Sequence, residues 1–287
     1  MATTLTTDIP AWIPDVIGAS AYDATLDSAL TLSGIASVIP DIAGKPGDVV
    51  IIPTINTTTP ADNLAENVAA VTEKLTGGSI TMLIKEGVKA IAWSDRSKVQ
   101  SSQDINQIAG QRIGNGIADR VELDLGAALL AGRNLTGEVF SANFDVAALR
   151  ALKRRIPAGI RRRGPLTLVG SDAVIEELLS DPILANAATF GSTEVLQDGQ
   201  LSRPIFGISR VLVVDDSVLA NITVGANPAS PPAVLFASGN LFRAVQTGPT
   251  VELERKPLER LTNLVGTILH GEAVQDSRGV VATAVGQ

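Results

Sequence analysis

Residues Ser101 to Ala131 read SSQDINQIAGQRIGNGIADRVELDLGAALLA, a stretch without proline. Ile105, Ala109, Ile113, Ile117, Val121, Leu125 and Leu129 recur at steps of four, and Ile108 and Leu130 widen the apolar face. That period predicts one long helix over 101–131. Ser101 or Ser102 would cap its free N–H groups, Asp104 would sit near the positive end of its dipole, and Gly132 would stop it. Such a helix is roughly 45 Å long, whereas a compact domain of this chain's length has a radius of gyration of about 19 Å, so the element must cross the whole fold. A four-residue step overruns the helical turn, so the stripe winds around the helix and different neighbours should cover its two ends. Gly110, Gly114 and Gly116 lower helix propensity; they are either tolerated or mark a close backbone crossing.

Working outward, the next clue is charge. The 287 residues are 45% hydrophobic but only 18% charged, below the usual quarter, which suits a subunit whose outer faces are covered by other subunits. The net charge is −7, and residues 1–80 hold nine acids against Lys45 and Lys74, leaving 21 acids and 21 bases in the remainder. There is no cysteine and one histidine, which excludes disulfides, thiolate chemistry and Cys/His zinc sites. No N-terminal signal pattern and no apolar run near the ~18 residues of a membrane span is present, so a cytosolic origin is expected.

Before the long helix, an arm precedes a short amphipathic helix from Pro14 to Leu32. Two β-rich runs, Asp48–Ile55 and Ser79–Trp93, then flank a segment too long for a tight turn. Pro53 places the first run at an edge. Together they read as an extended two-stranded excursion, marginal unless its tip packs on something else. After the long helix come a helix over Asn143–Arg155, a buried strand at Leu166–Val169, a helix over Ser171–Leu179 and a strand over Ile208–Val214. A loop over Gly225–Pro232 leads to a meander of strands at Ala233–Ala237, Leu241–Val245 and Thr250–Leu253. The closing segment Leu261–Val285 alternates apolar runs and turns.

Three sites invite chemistry. His270 in TILHGEAV reads as a strand-end or turn histidine, and a catalytic role would need an orienting partner. Asp215 and Asp216 follow the strand VLVV, where α/β enzymes place ligand residues; a turn cap before Ser217 is the plainer reading. Lys153, Arg154, Arg155, Arg161, Arg162 and Arg163 bracket IPAGI. They suit a solvated helix end, an ion-pair surface between subunits, or phosphate contact without sequence readout. GQRIGNG has glycines but no strand feeding it, so it fails as a phosphate loop.

In order and spacing the chain resembles the major capsid proteins of tailed bacteriophages, the Hong Kong 97 fold shared with encapsulins. The resemblance lies in GDVVIIPTINTTTPADNLAENVAAVTEKLTGGSITMLIKEGVKAIAWSD as an extended E-loop and in SSQDINQIAGQRIGNGIADRVELDLGAALL as a spine helix. It continues through LTLVGSDAVIEELLSDPILANAATFGSTEVLQDGQLSRPIFGISRVLVVDDS as an axial-domain core, and through LFRAVQTGPTVELERKPLERLTNLVGTILHGEAVQDSRGVVATAV as the peripheral return with C-terminal strands. It implies an α+β fold divided into an N-terminal arm (1–43), the E-loop and its strands (44–93), a peripheral domain (94–140 and 234–270), an axial domain (141–233) and closing strands (271–287).

It further implies a non-enzymatic shell subunit without cofactor, metal or membrane. Such a subunit forms pentamers and hexamers of an icosahedral head around double-stranded DNA contacted non-specifically, and is assembled in the host cytoplasm into the virion. Partners would be a separate scaffolding protein, a portal and a decoration protein. Candidate contacts between subunits are Asp62, Glu66, Glu73 and Lys74 in the E-loop, with Arg112, Arg120, Arg154, Arg155, Arg161, Arg162 and Arg163 as counterparts. Crosslinking through Lys74 is not implied. Alternatives are an encapsulin-type cargo shell, a tail or decoration protein, and an α+β enzyme using Asp215, Asp216 and His270.

Overall fold

The computed structural model describes residues 32–39, 47–55, 63, 77–101, 104–141, 143–162, 164–182, 206–219 and 232–285. In chain order the helices are α1 (Leu32–Ile35), α2 (Asp95–Gln100), α3 (Ile105–Ala131), α4 (Val146–Arg155), α5 (Ala158–Arg161) and α6 (Asp172–Leu179). The strands are β1 (Ser37–Ile39), β2 (Val49–Ile55), β3 (Gly77–Leu83), β4 (Lys85–Ser94), β5 (Val139–Ser141), β6 (Leu166–Ser171), β7 (Ile208–Val214), β8 (Pro232–Ala237), β9 (Leu241–Lys256), β10 (Leu261–Val274) and β11 (Val280–Val285). Of the expected helix over Pro14–Leu32, all but Leu32 lies outside the described residues. So do the E-loop tip with Asp62, Glu66, Glu73 and Lys74, Arg163, and the expected loop over Gly225–Pro232 except for Pro232, which opens β8.

The long helix begins later than its sequence suggests. Asp104 is its cap, accepting from the Asn106 N–H at 2.9 Å, and Ser101 instead closes α2, its N–H bonded to the Ser97 carbonyl at 3.0 Å. The remaining 27 residues still span about 40 Å. Ile113, Ile117, Val121, Leu125 and Leu129 are all buried. The helix backbone passes a second chain segment too closely for a side chain at Gly126, where a Cβ would collide with the Val218 carbonyl. Gly116, by contrast, meets only the flexible stem of Lys89.

Two main sheets share this helix. A four-stranded sheet has the order β1-β9-β10-β4, with β1 parallel to β9 and the other pairs antiparallel. A mixed five-stranded sheet has the order β5-β11-β8-β6-β7, and every residue of β6 and β8 is buried. The core around α3 takes Leu241, Leu264 and Ile268 from the first sheet and Val169, Val234, Phe236 and Ala282 from the second. A second core lies between α4, α6 and the five-stranded sheet, with Leu149, Leu152, Leu168, Ile175, Leu235 and Val281.

Three readings need correction. Ser79–Trp93 is two strands that join different sheets: β3 pairs with β2, and β4 with β10. The meander does not form, because Ala233–Ala237 belongs to the five-stranded sheet while Leu241–Val245 and Thr250–Leu253 are parts of one strand, β9. Its apparent interruption at Gly248–Pro249 is absorbed where the pairing with β10 shifts between Thr267 and Leu269, since a bulge accommodates residues that a ladder rejects. Likewise Leu261–Val274 is one continuous strand.

Candidate assembly surface and buried charge cluster

His270 lies inside β10, paired in register with Lys85 and Val245, and its side chain is fully buried. It is no turn residue. Its Nδ1 hydrogen-bonds the Glu272 carboxylate, while Nε2 points toward Asp124, 3.7 Å from Oδ2, without a hydrogen bond. Asp124 projects from the buried side of α3 and is held by Arg120 one turn earlier, whose Nε donates to Oδ2 at 3.1 Å and Nη2 to Oδ1 at 2.8 Å. Lys85 approaches the same carboxylate at 3.8 Å. The donor atoms of Asp124, His270 and Glu272 lie within 4.8 Å of one another, a spacing within reach of a cation. Arg120 and Lys85, however, already bring positive charge to Asp124, and both its oxygens are in use.

The cluster continues on β9. Burial pushes the Arg243 guanidinium down from its usual range, and the charges of Glu272 and Glu122 oppose that shift. Arg243 also donates to Ser33 Oγ, while Glu122 on α3 accepts the Leu32 and Ser33 N–H groups at 3.0 and 2.8 Å. A side chain of the long helix thus caps α1, and the buried charges fasten the N-terminal segment to the centre of the fold. Asp215 and Asp216 take no part. Asp215 Oδ1 accepts from the Ser217 N–H at 2.9 Å, and this bond, with the Ser217 hydroxyl, holds its exposed carboxyl below the usual range. The plainer reading as a turn cap is the observed one.

The surface shows two contrasting features. In the β2–β3 ribbon, Val50, Ile52, Ile80 and Met82 face inward onto Ala244, Phe242 and Ala273. Yet Val49, Ile51 and Leu83, on the other face, are also apolar and are 45%, 66% and 59% exposed. Apolar on both sides, the ribbon has a second face that the described residues leave in water. In the second feature, α4 ends in Lys153, Arg154 and Arg155, and α5 carries Arg161 with Arg162 just beyond. Arg150 stacks 4.6 Å above the Phe206 ring and Lys153 donates to the Phe206 carbonyl. Arg154, Arg155 and Arg162 are exposed and form no ion pair with the described residues.

No protein-family model and no curated protein matches the sequence. Solved structures do match. The capsid of Ralstonia phage GP4 superposes with a TM-score of 0.68 at 11% identity, covering 88% of this chain and 87% of that one. The cyanophage Pam1 capsid gives 0.67 at 17% identity, covering 88% of both chains. A virus-like particle from Pyrococcus furiosus gives 0.59 at 13% identity, covering 93% and 97%. The chain has the Hong Kong 97 capsid fold. The match spans nearly the whole length of each neighbour, so it concerns the arrangement of the long helix and both sheets and not an isolated motif.

On this capsid fold the arginines singled out in the sequence separate into two kinds. Arg120 is engaged by Asp124 within its own chain, although its side chain stays half exposed. Arg112, on the same helix, is exposed and pairs with no described acid, as are Arg154, Arg155 and Arg162; Arg161 is half-buried and also lacks an ion pair. The sequence reading missed Glu122, Asp124, Arg243 and Glu272. A signal existed for Asp124: it follows Arg120 by four residues and adjoins Leu125, within the buried stripe.

Proposed function

We propose that this protein is the major capsid subunit of a tailed bacteriophage, forming pentamers and hexamers of an icosahedral head that encloses double-stranded DNA. The observation that carries this reading is the β2–β3 ribbon: on a capsid fold, a two-stranded element with apolar residues on both faces, the outer one left exposed by the described residues, suits cover by another subunit. The subunit is structural and not an enzyme, and is assembled in the host cytoplasm into the virion with a separate scaffolding protein, a portal and a decoration protein. Its division is the one given by the resemblance: arm 1–43, E-loop 44–93, peripheral segments 94–140 and 234–270, axial domain 141–233, and closing strands 271–287. The match to the Pyrococcus furiosus virus-like particle favours an encapsulin-type cargo shell as the second reading.

Expression of the full chain, followed by sedimentation and negative-stain microscopy, tests this. Closed shells or capsomer rings support it; a stable monomer that also fails to assemble with a co-expressed scaffold overturns it. DNA or a bound enzyme inside isolated particles separates the two readings. We also propose that Asp62, Glu66 and Glu73, with Lys74 beside them, meet Arg112 on a neighbouring subunit, where it is exposed and pairs with no described acid. Reversing the three acids to lysine should reduce particle yield at least tenfold while monomer circular dichroism is unchanged.

A further inference from the structure

Between Asp145 and Asp172 the chain has 26 residues with seven cations and no acid, whereas the rest of the chain holds 30 acids against 16 bases. The helix dipole favours the basic residues in the last turn of α4, but it does not account for Arg161, Arg162 and Arg163, which follow a break at Pro157. Nor do the described residues neutralise it: no described acid lies within ion-pair distance of any of its described cations. Seven cations within 26 residues and no acid among them repel one another, so an anionic partner is called for.

We infer that Arg154, Arg155 and Arg162 form a contact surface for the phosphate backbone of double-stranded DNA; the inference rests on the reading of the chain as a DNA-enclosing shell. Six of the seven cations are arginines, whose guanidinium forks match phosphate oxygens and remain charged at every physiological pH. The alternative occupant is an acidic segment of a second copy. A protein partner would be expected to meet an apolar or aromatic anchor at the centre of its interface. Here the exposed residues between the arginines are Pro157, Ala158 and Gly159, and no large apolar side chain from Val146 to Pro165 is exposed. The segment itself thus offers charge without an apolar anchor, the exposed Leu135 standing on the adjoining turn whose Gly137 faces Arg155, and phosphate contact without sequence readout needs charge alone.

The test is fluorescence anisotropy of a random-sequence 60-base-pair duplex with the full-length protein at several salt concentrations, with particle assembly followed in parallel by sedimentation. Three neutralised phosphates give a logarithmic salt slope of about −2.7, so affinity should fall roughly 40-fold between 50 and 200 mM salt. Arg154→Gln, Arg155→Gln and Arg162→Gln together should weaken binding more than tenfold and flatten the slope, with assembly unaffected, while the corresponding three lysine substitutions should retain most of the binding. Duplex binding that is absent in the wild type, or unchanged in the glutamine variant, overturns the inference. Loss of assembly with duplex binding intact also overturns it and assigns the surface to a second copy. A wild type that binds duplex through these arginines but never forms particles would leave this inference standing and remove the shell reading.

Discussion

The charges around His270 and those of the α4–α5 segment obey opposite rules. In the first region Arg120, Lys85 and Arg243 meet Asp124, Glu272 and Glu122 within one chain, and the carboxylates that remain also take backbone N–H groups. In the second, three exposed arginines meet no described acid. Burial explains the difference. A charge withdrawn from water must be matched on the spot or the fold is lost, whereas a charge left in water can wait for a partner. A paired buried charge therefore reports on folding, and an unpaired exposed one on what the surface meets.

Breaking the buried side should have the largest effect. Asp124→Ala leaves Arg120, Lys85 and the Nε2 side of His270 without their carboxylate. The expected loss is about 3 kcal/mol in denaturant unfolding, the low end for a broken buried pair because Arg120 remains half in water. Glu122→Ala strips the cap from α1 and removes one neighbour of Arg243. It should cost about 1–2 kcal/mol and make the N-terminal segment the first site of limited proteolysis. On the other side of the comparison, Arg154→Gln and Arg155→Gln should each change monomer stability by less than about 0.5 kcal/mol. A larger loss would show that these residues also serve the fold.

The smallest effect belongs to Asp215, a surface carboxyl whose pairing is purely local. Its range is depressed in the folded state by the Ser217 N–H and hydroxyl. The stability it confers is thus present above the ordinary carboxylate range and is lost as pH falls through the depressed folded value. Carboxyl NMR titration should find it below the ordinary aspartate value, and moving Ser217 out of reach by loop insertion should restore that value.

The long helix was legible because its apolar step survives over seven residues of the stripe, and because tertiary packing uses the face that the step defines. Its start was misplaced because serine and aspartate compete as caps, and here Ser101 serves the preceding helix. The strand β9 was read as two pieces since Gly248 and Pro249 punctuate any local pattern; only pairing with β10 shows that the ladder resumes. The charge cluster was illegible for a different reason. Its members come from positions 33, 85, 120–124, 243 and 270–272, and no spacing rule relates residues brought together by sheet order alone. For the ribbon, alternation showed two strands but not that both faces were apolar in effect, which required knowing which face the core takes.

The winding stripe on α3 gives the molecule a mechanical character. Because side chains from both main sheets join the helix in one buried cluster, and protein interiors are too densely packed to absorb displacement, the helix acts as a shared load path. A pull on the four-stranded sheet is passed through that cluster to the strands of the other sheet. The two sheets then bear a load together, as a beam and its flanges do, and do not yield in turn.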